Sequence, residues 1–502
     1  MWQHPKYPTL SVFARRRPNR TERILLSILL ILILNLLFVS YPRHHPNPNT
    51  ALPTTSPQKP WPDLPSLLPW TGNPYPDPRS CEAYFGNGFT HTADVIKRSI
   101  DGSSGWFRCF HSETLRSSVC EGGNLRVSPE KIRVSRGGER LGEVMGRREE
   151  EELPEFEDGA VRLIGGGRLR GKLVDEGFLN EFVPSNGVER HPMRSLIASI
   201  SIVDDEDAIC DQWMEEPTLL VTRFEYANLF HTITDWYSAY VASRVTNLPY
   251  RPHLVFMDGH CESPLEPTWE ALFSSVKYIK SFNGSICFRH VILVPLGYDT
   301  ALFRGLTQEI SCDGISEPDP LQSPNTQKTA RLSEFGEMLK SAFSLPVLYR
   351  HAHGLDSTRN ILFVRREDYL AHPRHHGKVE SRLTNEEEVF NTLRKWAPHY
   401  PGCNLNLING LFAHMQMVDQ IRAVQEASVI IGAHGAGMTH IVAATQKTVI
   451  LEIISAYFRR PHFELISRWR GLEYHAIRLG GSHADPNVVV EELRGILKSH
   501  GC

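Results

Sequence analysis

Ile24 to Ser40 (ILLSILLILILNLLFVS) is apolar except for Ser27, Asn35 and Ser40, and it follows a tail that carries Arg15, Arg16, Arg17, Arg20 and Arg23. A basic flank ahead of such a run predicts a membrane anchor with its N-terminus in the cytosol. At about 1.5 Å per residue the run reaches roughly 25 Å, which suits the thin bilayers of the endoplasmic reticulum and Golgi better than the plasma membrane. A cleaved signal peptide would need a shorter apolar stretch ending at small residues, whereas this one ends in Phe38-Val39-Ser40-Tyr41-Pro42. Everything that folds downstream is therefore expected in an oxidising lumen.

Prolines recur from Pro42 to Pro78, which favours extended chain and denies the segment a core. The expected organisation is a cytosolic tail (1–23), a transmembrane anchor (24–40), a Pro-rich stem (41–80) and a globular body, divided into an N-terminal domain (81–345) and a C-terminal nucleotide-binding domain (346–502). The full 502 residues, with 41% hydrophobic and 22% charged, supply enough apolar material for such a body. Residues 1–23 hold a net charge of +5, so the overall −3 leaves −8 on the rest, which argues against a nucleic-acid partner. Nine cysteines, at 81, 109, 120, 210, 261, 287, 312, 403 and 502, all follow the anchor. Disulfides are permitted there, the odd count leaves at least one thiol free or intermolecular, and no CxxC spacing supports structural zinc. Asn283-Gly284-Ser285 is the lumenal glycosylation sequon.

Strand and helix patterns alternate through the last third: Ile361–Val364, a helix from Glu386 to Trp396, a helical run through Met415, Val418, Ile421 and Val424, then Ser428–Ile431, Thr448–Ile454 and a last helix near Val488–Leu497. This alternation predicts a parallel, doubly wound α/β sheet. A similar unit begins at Thr218–Thr222, continues in a helix from about Asn228 to Val241, and reaches a further strand at Leu254–Phe256. Two Rossmann-type domains facing a cleft are expected. The Glu-, Arg- and Gly-rich stretch from Arg136 to Gly167 reads as a solvated excursion.

Several residues fall where such folds bind ligands. The turn Gly432-Ala433-His434-Gly435-Ala436-Gly437 follows an apolar strand and precedes a helical pattern, so its backbone N–H groups could approach a phosphate; tight packing alone would also call for glycine there. Arg365 and Arg366 follow the strand Ile361–Val364, and guanidinium forks suit pyrophosphate oxygens, although Glu367 and Asp368 beside them offer surface ion pairs. Glu452 lies among strand apolars and must find donors, which the vicinal hydroxyls of a ribose could supply. His372, His375 and His376, interleaved with Arg374 and Lys378, read as a basic loop over an anionic ligand and not as a metal site. His231 and Asp235 stand at i and i+4 of one helix, where the carboxylate could orient the imidazole as a general base; Glu225 is the next carboxylate to consider. Asp204-Asp205-Glu206-Asp207 after the strand Ile200–Val203 is the competing signal for a divalent metal.

Taken together, Pro60-Trp61-Pro62, Trp106-Phe107-Arg108-Cys109, Ser112-Glu113-Thr114-Leu115, Thr218 to Tyr240, Phe363 to His375, Ile430 to His440 and Pro461-His462-Phe463-Glu464 resemble glycosyltransferase family 61, in its plant type that adds β-1,2-linked xylose to N-glycans. The resemblance implies a two-domain GT-B fold, single-pass type II residence in the Golgi membrane, and a UDP-xylose donor. It further implies an N-glycan acceptor modified at its core β-mannose, inversion, and no obligatory metal cofactor. By position it puts Arg365, Arg366, the Gly432–Gly437 turn with His434, Gly435 and Ala436, and Glu452 at the donor, and His231 and Asp235 at the reaction centre. The alternatives are a metal-dependent GT-A transferase using Asp205 and Asp207, and an anchored glycan-binding protein without catalysis.

Overall fold

The computed structural model describes residues 57–64, 89–99, 104–306, 331–347 and 358–502, apart from 114, 166–169, 205–208, 369, 375–376 and 379. The anchor at 24–40 and most of the stem lie outside the described residues, among which no helix is long and apolar enough to cross a membrane.

The architecture is mixed α/β. In the N-terminal half, strands β1 (Phe89–Ile96), β2 (Trp106–Ser112), β3 (Ser117–Gly123), β4 (Thr218–Val221), β5 (His253–Phe256), β6 (Val276–Tyr278) and β7 (Val291–Leu293) form one seven-stranded sheet. Its order is β1-β2-β3-β7-β4-β5-β6, antiparallel as far as β7 and parallel from β7 to β6. A six-stranded sheet packs on one of its faces through Leu125, Val127, Val161, Leu163 and Ile200 against Phe107, Leu220, Val255 and Leu293. The stretch expected as a solvated excursion is in part structural. Val161–Ile164 is a central strand of this second sheet, and Glu152 is fully buried, because its charge is matched by His260 and Arg374.

Strands β8 (Arg359–Val364), β9 (Leu405–Gly410), β10 (Ala427–Ala433), β11 (Val449–Ile454) and β12 (Glu473–Arg478) make an all-parallel sheet in the order β9-β8-β10-β11-β12. Alternation along each strand decides which helices cover it. Ile361, Phe363, Val429, Ile431, Leu451 and Ile453 face helices Glu386–Trp396 and Pro486–Ser499. Leu362, Val364, Ile430 and Ile450 join the apolar cluster that includes helices Met417–Glu426 and His462–Arg470. The strand order reverses between β8 and β10, and in such sheets the ligand crevice opens at that reversal, beyond the carboxyl ends of the strands.

Helix α1 (Leu229–Val245) connects β4 to β5 and is buried on all sides except at His231 and Arg244. Asn228 caps it, its side chain accepting from the N–H of Phe230 at 3.0 Å. The cluster formed by its Ile233, Trp236 and Tyr240 extends from Phe110 and Leu219 in the first sheet to Leu362 and Ile430 in the parallel sheet. Cys109 is bonded to Cys120 across β2 and β3, Cys210 to Cys287, and Cys403 to Cys502, while Cys261 is a buried free thiol.

The stem is not wholly detached. Trp61 donates from Nε1 to the Leu248 carbonyl at 2.9 Å and sets its ring edge-on to Tyr240. The Lys59 backbone N–H donates to Ser274 Oγ at 2.7 Å, and Arg251 Nε donates to the Pro60 carbonyl at 2.9 Å. Removing residues 1–56 is therefore expected to leave a body as stable as the parent, whereas Trp61→Ala should lower its stability by about 1 to 3 kcal/mol, less than a fully buried Trp would cost. Denaturant titration of the two proteins checks both outcomes.

Candidate active site

The carboxyl ends of β8, β10 and β11 meet at the Gly-rich turn. β10 ends at Ala433, and Gly435 is followed by a 3₁₀ helix, Ala436–Ala443, in place of the expected α-helix. Arg366 lies against Gly435, its guanidinium where a Cβ would stand. His434 donates or accepts through Nδ1 at 2.6 Å from Glu452 Oε1, and Tyr474 donates to Glu452 Oε2 at 2.6 Å. Glu452 has no exposed surface, so the donors that a buried strand carboxylate needs come from the protein and not from a ribose. Its effect is to fix the ring of His434 inside the crevice.

The two adjacent arginines diverge. Arg365 is held by Glu386 (3.2 Å) and Glu387 (2.6 Å) at the start of the helix Glu386–Trp396. Arg366 turns the other way, towards Gly435, with Nε donating to the Glu380 carbonyl at 3.2 Å. Two further guanidiniums join it. Arg382 stacks 3.0 Å above the Phe458 ring, and its Nε and Nη1 are sealed from solvent without hydrogen-bond partners. Its pKa is lowered first by burial, with Glu380 opposing, and then by Arg366 and Arg460. Arg460 also depresses His462, which burial, His434, Arg460 and His231 together push down to about 3, so this imidazole is neutral at any working pH.

His462 joins the two halves. Its ring meets His434 edge-on at 5.3 Å and Phe230 of α1 at 4.8 Å. Beside Phe230 stands His231, stacked on Tyr298 at 5.2 Å. Its partner is Glu225, 3.2 Å from Nε2, and not Asp235. The expected i, i+4 pair does not form because that face of α1 is covered. Asp235 is buried, and its Oδ1 accepts from the N–H of Gly297 at 3.1 Å. Gly297 allows this approach, since a Cβ would strike Asp235 and Thr234. Burial raises the Asp235 carboxyl well above its ordinary range, the Gly297 N–H opposing.

The remaining sequence candidates lie elsewhere. Asp204 pairs with Arg170 at the edge of the six-stranded sheet, and Asp205 and Asp207 lie outside the described residues. Among the described residues no group of three or more His, Cys, Asp or Glu is placed to hold a metal ion. His372 and Arg374 belong to a segment docked on the N-terminal half: Arg374 pairs with the buried Glu152, Pro373 accepts from the Gly146 N–H at 3.0 Å, and His372 lies against Tyr226. His375 and His376 lie outside the described residues. Asn283 is exposed, while Ser285 of its sequon is buried and donates to Asp211 at 2.7 Å.

Arg382, Arg460 and Tyr298 were not singled out by sequence reasoning, and His462 entered it only as part of Pro461-His462-Phe463-Glu464. The loop between β11 and the helix at His462, rich in Arg at the carboxyl edge of a parallel strand, was the available signal for two of them.

The glycosyltransferase 61 family model matches residues 229–451, which include α1, the Gly-rich turn and the first half of β11. The chain belongs to glycosyltransferase family 61. A beta-1,2-xylosyltransferase of Oryza sativa subsp. japonica is 59% identical over 453 residues, covering 89% of this chain and 84% of that protein. A beta-1,2-xylosyltransferase of Arabidopsis thaliana is 54% identical over 536 residues, covering 96% and 100%. An EGF domain-specific O-linked N-acetylglucosamine transferase of Gallus gallus is 22% identical over 315 residues, covering 58% and 50%.

Asp235 is a buried acid that stays protonated where its unfolded counterpart ionises. Stability is therefore lost as pH rises above the unfolded pKa of about 3.9, until the folded group itself ionises. Asp235→Asn keeps the carbonyl that accepts from Gly297 and should be at least as stable as wild type at pH 7, with the difference shrinking towards pH 4. Asp235→Ala should lose about 1 to 3 kcal/mol by orphaning that N–H. Thermal or urea unfolding at the two pH values checks the order.

Proposed function

We propose that this family 61 chain transfers xylose, with inversion, from UDP-xylose to O2 of the core β-mannose of an N-glycan. The reaction takes place in the Golgi lumen, where residues 24–40 hold the body as a single-pass type II protein. The observation that carries the reading is the convergence of Arg366, Arg382 and Arg460 beside the Gly435 turn, at the reversal point of a parallel sheet. Three guanidiniums close enough to depress one another, with Glu380 on Arg382, favour a multiply charged anion, and a diphosphate fits their fork geometry. The names of the rice and Arabidopsis relatives supply xylose as the sugar. We read the two halves as a GT-B arrangement, with the donor on the parallel five-stranded sheet and the acceptor approaching from the β4 to α1 side.

In this reading Arg366, Arg382 and Arg460, with His434 and backbone N–H groups of the 432–437 turn, stabilise the charge that develops on the departing UDP. Glu452 holds His434, and Arg365 braces the loop through Glu386 and Glu387. His231, at the end of α1, borders the acceptor.

Incubating the solubilised protein with a panel of UDP-sugars and a biantennary N-glycan tests the proposal: UDP-xylose should be the donor turned over fastest, and the product should carry xylose on the core mannose. Activity should persist in excess EDTA. Loss on chelation with recovery in manganese would favour the metal-dependent alternative, and glycan binding without turnover would favour a binding protein. By calorimetry, Arg366→Ala and Arg382→Ala should each weaken UDP binding by about 1 to 3 kcal/mol, the range for hydrogen bonds to charged groups. Arg365→Ala should weaken it less.

A further inference from the structure

Attack by a sugar hydroxyl needs a proton acceptor beside it, and the candidates for it between α1 and the Gly-rich turn include Glu225, His231, Asp235, His434 and His462. Geometry separates them. Asp235 is buried beneath α1 with its carboxyl against Gly297. His462 is buried between Phe230 and His434. His434 is backed by Glu452 and stands in the turn next to Arg366, on the diphosphate side. His231 turns Nε2 towards the Glu225 carboxylate, so the proton belongs on Nε2 and the lone pair on Nδ1. Nδ1 is sealed from solvent and has no partner. Neither nitrogen of His231 can therefore reach an incoming hydroxyl.

Glu225 differs from all of these. It lies in the loop between β4 and α1, and its side chain is 46% exposed. Tyr298 donates to Oε1 at 2.9 Å and His231 faces Oε2 at 3.2 Å. These donors are themselves fixed, with Tyr298 stacked on His231 and wedged against Phe303 at 4.2 Å. One donor per oxygen leaves lone pairs for a substrate hydroxyl.

Resting on the transferase reading above, the geometry assigns Glu225 as the proton acceptor, with His231 and Tyr298 as its positioning residues. The acceptor hydroxyl gives its proton to Glu225 while its oxygen bonds to the anomeric carbon. The bond from that carbon to the diphosphate oxygen breaks, the electron pair leaves with UDP, and Glu225 then releases the proton to water. Around Glu225 the charged and titratable neighbours are His231 and Tyr298 in contact, with Asp235, Arg460 and Glu149 beyond them.

The test uses the full-length chain in detergent, with whichever UDP-sugar the wild type turns over fastest. E225Q should lower kcat by about 10² to 10⁴-fold, the usual contribution of a positioned base, with UDP affinity unchanged. Formate should restore part of the activity of E225A. H231Q, which keeps a side-chain N–H, should retain more activity than H231A. H231A and Y298F should each lower kcat with UDP affinity unchanged, since each removes a donor that fixes the carboxylate. Near wild-type turnover by E225Q, or equal activity of H231Q and H231A, would overturn the assignment while leaving the transferase reading intact. A wild type that transfers no sugar would overturn both.

Discussion

A single buried ion pair positions most of what lies around the crevice. Arg223, the second residue past β4, reaches Asp258 beyond β5: its backbone N–H donates to Oδ2 at 2.7 Å and Nη2 to Oδ1 at 2.7 Å. Neither side chain has meaningful exposure, and the guanidinium lies 3.6 Å above the Phe256 ring. Removing either partner would leave an uncompensated charge in the interior, so the geometry is strongly enforced. Burial works against both charges, and the pairing overrides it, raising the arginine and lowering the aspartate. The pair clamps the carboxyl ends of two parallel strands and thereby the start of the loop that carries Glu225, Tyr226 and the Asn228 cap. Its reach extends outwards through His260, which bridges the Arg223 carbonyl and Glu152, and from Glu152 to Arg374 of the other half.

The opposite wall of the crevice is organised differently. There no single pair dominates; strand order brings β8 and β10 side by side, the long segment between β8 and the helix at Glu386 carries Arg366 and Arg382, and the turn after β10 carries His434. The carboxylates named here are engaged by neighbours, Glu452 by His434 and Tyr474, Glu386 by Arg365 and Glu380 by Nη2 of Arg382 at 3.2 Å, while Nε and Nη1 of Arg382 have no protein acceptor. The result is a wall with positive character facing one whose polar groups include the Glu225 carboxylate, the His231 imidazole and the Tyr298 phenol. That division suits a reaction in which an anion departs on one side and a proton is taken on the other.

Much of this was legible in the sequence where periodicity and local chemistry agree. The helix Glu386–Trp396 has its expected bounds because Asn385 precedes an amphipathic pattern that buries Val389, Phe390 and Leu393. Helix α1 runs to Val245, four residues beyond the expected end, since a helix buried nearly all round carries no periodic stripe to mark where it stops. Val161–Ile164 was hidden by its Glu- and Gly-rich flanks, although its own residues are strand-like. At the site, spacing within one element misled: His231 and Asp235 share a helix, but tertiary packing sends one to the crevice and the other into the turn at Gly297. Arg365 and Arg366 looked equivalent and were separated only by Glu386, about twenty residues further on, which no local pattern announces. Arg382 and Arg460 converge from separate loops, so their proximity exists only in the fold.

The sequon has a consequence for the timing of biosynthesis. Asn283 is accessible in the finished fold, but the Ser285 hydroxyl beside it is sequestered, bonded to Asp211 and within 3.2 Å of the Ile209 carbonyl, next to the Cys210–Cys287 bridge. An enzyme that reads Asn and Ser together needs both side chains on an open, extended chain. On the lumenal topology proposed above, any glycan on Asn283 would be attached before Ser285 is sequestered and Cys287 is oxidised onto Cys210. Oxidation that runs ahead of glycan addition would leave the site permanently bare, so occupancy at Asn283 would serve as a record of which maturation step came first.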